Sequence, residues 1–77
     1  MRRGELDIIS DILEMAEGGA KKTHLVYRAN LNSKVLKRYL RKLFEYGFIR
    51  IEGRFYVTTK KGAEFLYNYR QLMVQLR

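Results

Sequence analysis

Seventy-seven residues allow one small domain with a modest core, and the absence of cysteine excludes both a disulfide framework and a cysteine-based metal site. Apolar runs are only a few residues long, so neither a transmembrane helix nor a signal peptide is expected, and a chain without cysteine suits the cytoplasm. The formal net charge of +8 is unevenly placed: residues 1–20 sum to −3, residues 21–50 to +8 and residues 51–77 to +3. Segregation of this kind separates a basic face from an acidic back, the electrostatic footprint of a nucleic-acid binder.

The first periodic segment runs from Gly4 to Glu17. Leu6, Ile9, Ile12, Leu13 and Ala16 share one helical face, and Glu5, Asp7, Asp11 and Glu14 surround the rest. Acids in the first turn suit the positive end of the helix dipole, and an acidic exterior repels phosphate, so this helix belongs on the back of the domain. Gly18-Gly19 ends it. No strand precedes this glycine pair and no GK[ST] follows, so it is not a phosphate-cradling loop.

Residues Lys21 to Ala29 predict a short second helix, with Thr23 as a cap or first-turn residue and Val26, Tyr27 and Ala29 turned inward. Lys21 and Lys22 stand at its start, where phosphate contact is expected. His24 is the one histidine; without partners it makes neither a metal site nor a catalytic triad, and a half-exposed structural role is expected. After the turn Asn30-Leu31-Asn32 comes the strongest element, a helix over Ser33 to Tyr46 capped by Asn32 or Ser33 and closed by Gly47. Leu36, Tyr39, Leu40, Leu43 and Phe44 form its apolar face. Lys34, Lys37, Arg38, Arg41 and Lys42 form the other, opposed by Glu45. Two helices joined by so short a connection, the second one basic, make a helix-turn-helix.

The period then changes from helical to alternating. Residues 48–52 and 55–58 predict two short strands joined by Gly53-Arg54 in a type II′ turn. That register pairs Ile51 with Tyr56 and Ile49 with Thr58, and turns all four toward the helices. Arg54 at the tip can reach a phosphate or a minor groove. Thr59 caps a last helix over Lys60 to Leu76, in which Gly62 permits close packing while Ala63 and Leu66 cover the core. Phe65, Tyr69, Leu72 and Leu76 follow at spacings of four, three and four, a short coiled-coil seam flanked by Met73 and Tyr67.

The ordered set Lys22-Thr23-x-Leu25-Val26-Tyr27-x-Ala29-Asn30-Leu31, then Tyr39, Leu43, Glu52-Gly53 and Tyr56 through Gly62, resembles small archaeal winged-helix DNA-binding proteins. These comprise the basic, dimeric, chromatin-associated proteins of Sulfolobus-type organisms and related transcriptional regulators. The resemblance spans nearly the whole chain. It implies a winged helix paired with a second copy through antiparallel C-terminal helices, and binding to double-stranded DNA. Two positions depart from the pattern: Thr58 replaces a larger apolar residue, and the last helix is short at Arg77.

The expected fold is therefore α+β, mainly helical, a winged helix ordered α-α-α-β-β-α over residues 1–77, with residues 60–77 as the dimerisation helix. Asn32, Ser33, Lys34 and Arg38 are placed in or near the major groove, with a phosphate as the safer assignment for Arg38; Lys21, Lys22, Lys37, Arg41 and Lys42 are placed on phosphates, and Arg54 on a phosphate or in a minor groove. Phe65, Tyr69, Leu72, Met73 and Leu76 are the expected homodimer interface. Neither cofactor nor metal is expected, and no membrane partner. The role is that of a regulator or chromatin-associated protein in a nucleoid. A winged-helix protein–protein module and an RNA-binding domain are the rival readings. Charge argues against the first, and the weakness of the stacking-aromatic signal against the second. An enzyme is rejected for want of a nucleophile–base pair or ligand cluster.

Overall fold

The computed structural model describes residues 4–76, so Met1–Arg3 and Arg77, the ends of the expected 1–77 span, lie outside the described residues. Four helices and one hairpin follow in the order α1 (Glu5–Met15), α2 (Lys22–Ala29), α3 (Ser33–Glu45), β1 (Ile49–Glu52), β2 (Phe55–Thr58) and α4 (Lys60–Gln75). Their buried faces meet in one cluster: Ile9, Ile12 and Leu13 from α1, Leu25 from α2, Leu36, Leu40 and Leu43 from α3, with Ala20, Ile49 and Leu66.

Local chemistry sets each boundary. The Gly4 N–H donates to Asp7 Oδ2 at 3.2 Å as α1 begins. Asn30 ends α2 in the left-handed region (φ 55°), which asparagine tolerates better than most residues. Asn32 then starts α3, its Oδ1 accepting from the Val35 N–H at 2.8 Å. Gly47 (φ 77°) closes α3 in a Schellman arrangement. There the Phe48 N–H donates to the Leu43 carbonyl at 2.9 Å and the Gly47 N–H to that of Phe44 at 3.0 Å.

The hairpin is antiparallel in the expected register, Ile49 opposite Thr58 and Ile51 opposite Tyr56. Gly53 takes φ 60° at the turn. A contact the sequence did not announce adds a third edge. Ala20, in the loop after α1, bridges to Tyr56, the Ala20 N–H donating to the Tyr56 carbonyl at 2.9 Å and the Tyr56 N–H to that of Ala20 at 2.8 Å.

Thr58 locks the hairpin to α1. Its hydroxyl donates to the Leu13 carbonyl at 2.7 Å and its N–H to the Ala16 carbonyl at 2.9 Å. Carbonyls in the last turn of a helix lack intrahelical partners, so a threonine here supplies what a larger apolar side chain cannot. Thr59 caps α4, accepting from the Gly62 N–H at 3.1 Å and donating to the Gly47 carbonyl at 2.6 Å. Gly62 is buried because α4 crosses the Phe48 backbone there. A Cβ at this position would collide with the Phe48 carbonyl oxygen and stand 2.9 Å from Thr58 Cγ2.

Five side chains expected inside lie outside. Leu6 is 52% exposed, because the α1 core stripe begins a turn later at Ile9, with Ile8 at its margin. Tyr27 is exposed because Leu25 and Ala29 are the residues α2 turns inward, which puts Tyr27 on the opposite side at 100° per residue. Phe44 lies on the edge of α3, displaced toward the hairpin from the line of Leu36, Leu40 and Leu43. Ile51 is exposed because β1 is buried at Ile49 and the strand then runs out past the helices. Ala63 is exposed because Gly62 and Leu66 define the buried side of α4.

Candidate nucleic-acid interface

Helix α3 carries the basic face, and the core fixes its direction. With Leu36, Leu40 and Leu43 buried, 100° per residue places Lys34 and Arg38 on the outward crest. Lys37 and Arg41 lie on the flank facing the hairpin and Lys42 on the flank facing α1. All five are exposed.

The two flanks differ chemically. Toward the hairpin, Lys22 of α2 joins Lys37 and Arg41 around a groove of about 220 Å³ floored by Leu40, Phe44, Ile51 and Tyr56. Toward α1, Arg38 and Lys42 border a depression of about 310 Å³ with Tyr39 and Glu5. Lys42 Nζ donates to Glu5 Oε1 at 2.8 Å, and this hydrogen bond, with the attraction of the carboxylate, raises the lysine pKa above its ordinary value. Lys42 is thus held by the acidic helix, whereas Lys22, Lys37 and Arg41 face outward around a common groove.

The other expected residues divide in the same way. Asn32 spends its side-chain oxygen on the α3 cap, which leaves its amide N–H groups as donors for any ligand. Ser33, in the first turn of α3, lines a depression of about 490 Å³ with Lys22, Thr23, Val26 and Tyr27. Lys21 lies at the α2 N-cap with its Nζ 5.9 Å from the centroid of the Phe55 ring. Arg54 is exposed in the hairpin turn, and Arg50, one strand back, is paired with Glu52. Phe44, Ile51 and Tyr27 border these grooves although sequence periodicity assigned them to the core. Helical spacing tolerates a residue at the edge of an apolar stripe, and strand alternation does not reveal where the covering layer ends.

On α4 the expected seam splits. Phe65 stacks on Phe48 with ring centroids 5.0 Å apart, and the Tyr69 hydroxyl donates to Asp7 Oδ1, so the proximal half is engaged within the chain. Beyond it Leu72, Met73 and Leu76 are 50%, 36% and 71% exposed. Among the described residues no cluster of three or more His, Asp or Glu side chains could hold a metal ion, and no helix is long and apolar enough to cross a membrane.

A helix-turn-helix whose second helix is basic, followed by a two-stranded hairpin and a closing helix, defines the winged-helix class. The winged helix-turn-helix family matches residues 2–76, and the chain belongs to it. Among solved structures, it is similar to Sso10a-2, a DNA-binding protein from Sulfolobus solfataricus. The TM-score is 0.77 and the identity 30%, over 97% of this chain and 82% of that one. No curated protein matches.

Proposed function

We propose that this chain binds double-stranded DNA, with α3 entering the major groove and the flanking cations holding the phosphates. The observation that carries this reading is the convergence of Lys22, Lys37 and Arg41 on one groove beside the crest of Lys34 and Arg38. Cations from two helices meet there, which suits a duplex whose major groove takes the second helix while the first crosses the backbone. The similarity to a DNA-binding protein of Sulfolobus solfataricus supports it. Lys21, Lys22, Lys37 and Arg41 are assigned to phosphates, Ser33, Lys34 and Arg38 to the groove, Asn32 to the groove through its amide donors, and Arg54 to an auxiliary phosphate contact. Lys42 joins them by exchanging Glu5 for a phosphate.

The reading includes a homodimer. Leu72, Met73 and Leu76 continue the buried stripe of α4 past the body of the protein and leave it in water, an arrangement that a second copy of the same strip covers. Phe65 and Tyr69, engaged with Phe48 and Asp7 of their own chain, stand at the edge of that interface. Paired chains present two α3 helices to half-sites about one helical turn apart or a multiple of it. The role is regulatory or architectural, that of a transcriptional regulator or a chromatin-associated protein, and not enzymatic.

The test is a gel-shift series on specific and random duplexes, with RNA as competitor, across salt concentrations. If a protomer neutralises roughly four to six phosphates, log K falls against log salt with a slope of about −4 to −5. A slope near −1, or preference for RNA, overturns the reading. A large ratio between specific and random duplexes assigns a regulator, and a ratio near one an architectural protein.

A further inference from the structure

Tyr27 is 84% exposed, more than any other large apolar side chain among the described residues. It is a wall between two depressions. One, of about 490 Å³, holds Lys22 and Ser33 and leads to the start of α3. The other, of about 440 Å³, holds Lys21, Thr23, His24 and the half-exposed ring of Phe55. The Tyr27 ring thus stands in solvent beside Lys21, Lys22 and the ring of Phe55 in β2, which is half-exposed with the Lys21 ammonium 5.9 Å from its centroid.

A duplex makes poor use of such a surface, because its base faces are already stacked on one another. An unpaired strand offers both a phosphate chain for the lysines and a π-face at every base for the rings. Lys22 also borders the α3 groove, so the aromatic surface and the duplex-facing groove are continuous.

We propose that Tyr27 and Phe55, with Lys21 and Lys22, form a stacking surface for unpaired bases of a DNA strand, so that the chain prefers single-strand–duplex junctions to blunt duplexes. The proposal rests on the duplex reading given above.

The test compares one duplex, blunt or with a short single-stranded overhang carrying 2-aminopurine, in binding and in fluorescence. The overhang should bind about five-fold tighter or more, which corresponds to stacking of at least one base, and its fluorescence should fall on binding. Tyr27→Ala should remove the quenching and bring overhang affinity down to that of the same variant for the blunt duplex. Tyr27→Phe should keep the gain and the quenching. So exposed a side chain can be removed without opening the core, and circular dichroism checks that the fold is retained. Equal affinity for blunt and overhanging DNA, a gain that survives Tyr27→Ala, or a gain confined to RNA overhangs overturns the proposal and leaves the duplex reading standing. Failure of the blunt duplex itself to bind overturns both.

Discussion

Gly62 and Thr58 are single residues on which the seating of the hairpin depends. By helix propensity alone, Gly62→Ala stabilises α4 by about 1 kcal/mol. The added Cβ would meet the Phe48 carbonyl oxygen, and backbone cannot swing aside as a flexible side chain can. We expect the steric term to prevail, with a net loss of about 1–3 kcal/mol in chemical denaturation, the usual cost of overpacking; a stabilised variant would contradict the crossing at Phe48. Thr58→Val keeps the shape and strands the Leu13 carbonyl, so a loss of about 1–3 kcal/mol is expected by the same measurement. Sequence alone showed that Gly62 served close packing and that Thr59 capped α4. It did not show why Thr58 is not leucine, because its partner lies on a helix 45 residues earlier. Local pattern has no access to such a pairing.

At the scale of elements, α3 was the most legible part of the chain. Its cap, its stop and its buried leucines all follow from a sharp apolar stripe between Asn32 and Gly47. What periodicity could not supply was the difference between its flanks, since that depends on whether α1 or the hairpin stands alongside. This difference predicts unequal effects. Lys37→Ala with Arg41→Ala should weaken all duplexes alike and reduce the salt slope by about 2. Lys42→Ala should do less than either Lys37→Ala or Arg41→Ala alone, because Lys42 must leave Glu5 before it can meet a phosphate. Equal losses at both flanks in a binding titration would mean that the Glu5 pair has no influence on DNA binding. Arg54→Ala, at an exposed turn, should cost about five-fold or less in affinity. Strand register was legible too, from the two-residue turn and the alternation around it. The exposure of Ile51 was not, since a strand pattern names two faces without saying how far a covering layer extends.

For the whole molecule, α4 is held to α1 by polar contacts as well as by the core. The Arg70 guanidinium pairs with Glu14 at 3.0 Å, and the Tyr69 hydroxyl donates to Asp7. Asp7 accepting that hydrogen bond, together with partial burial, raises the Tyr69 pKa above its ordinary value. The neutral phenol is therefore favoured in the folded state. Its stabilising effect is complete below the ordinary tyrosine pKa of about 10 and disappears as pH rises through the higher folded value. Lys42, also raised, loses its pairing with Glu5 in the same alkaline direction. Melting temperature should fall above about pH 10, and Tyr69→Phe should flatten that fall; an unchanged alkaline profile would show that the Asp7 contact contributes little. Assembly is tested separately. Leu72→Asp with Leu76→Asp should yield a monomer in sedimentation that keeps its helical content and binds duplex DNA more weakly, whereas a wild-type chain monomeric at high micromolar concentration would remove the homodimer.

The bridge between Ala20 and Tyr56 makes the hairpin part of a larger cooperative unit. Its two hydrogen bonds join the loop that precedes α2 to the strand that carries the wing. Neither can open unless the other is released. The amide protons of Ala20 and Tyr56 should then exchange with solvent at matched rates, as members of one foldon. A wing tethered in this way has less motion left to lose when a ligand arrives, so less of the binding energy is spent on ordering it.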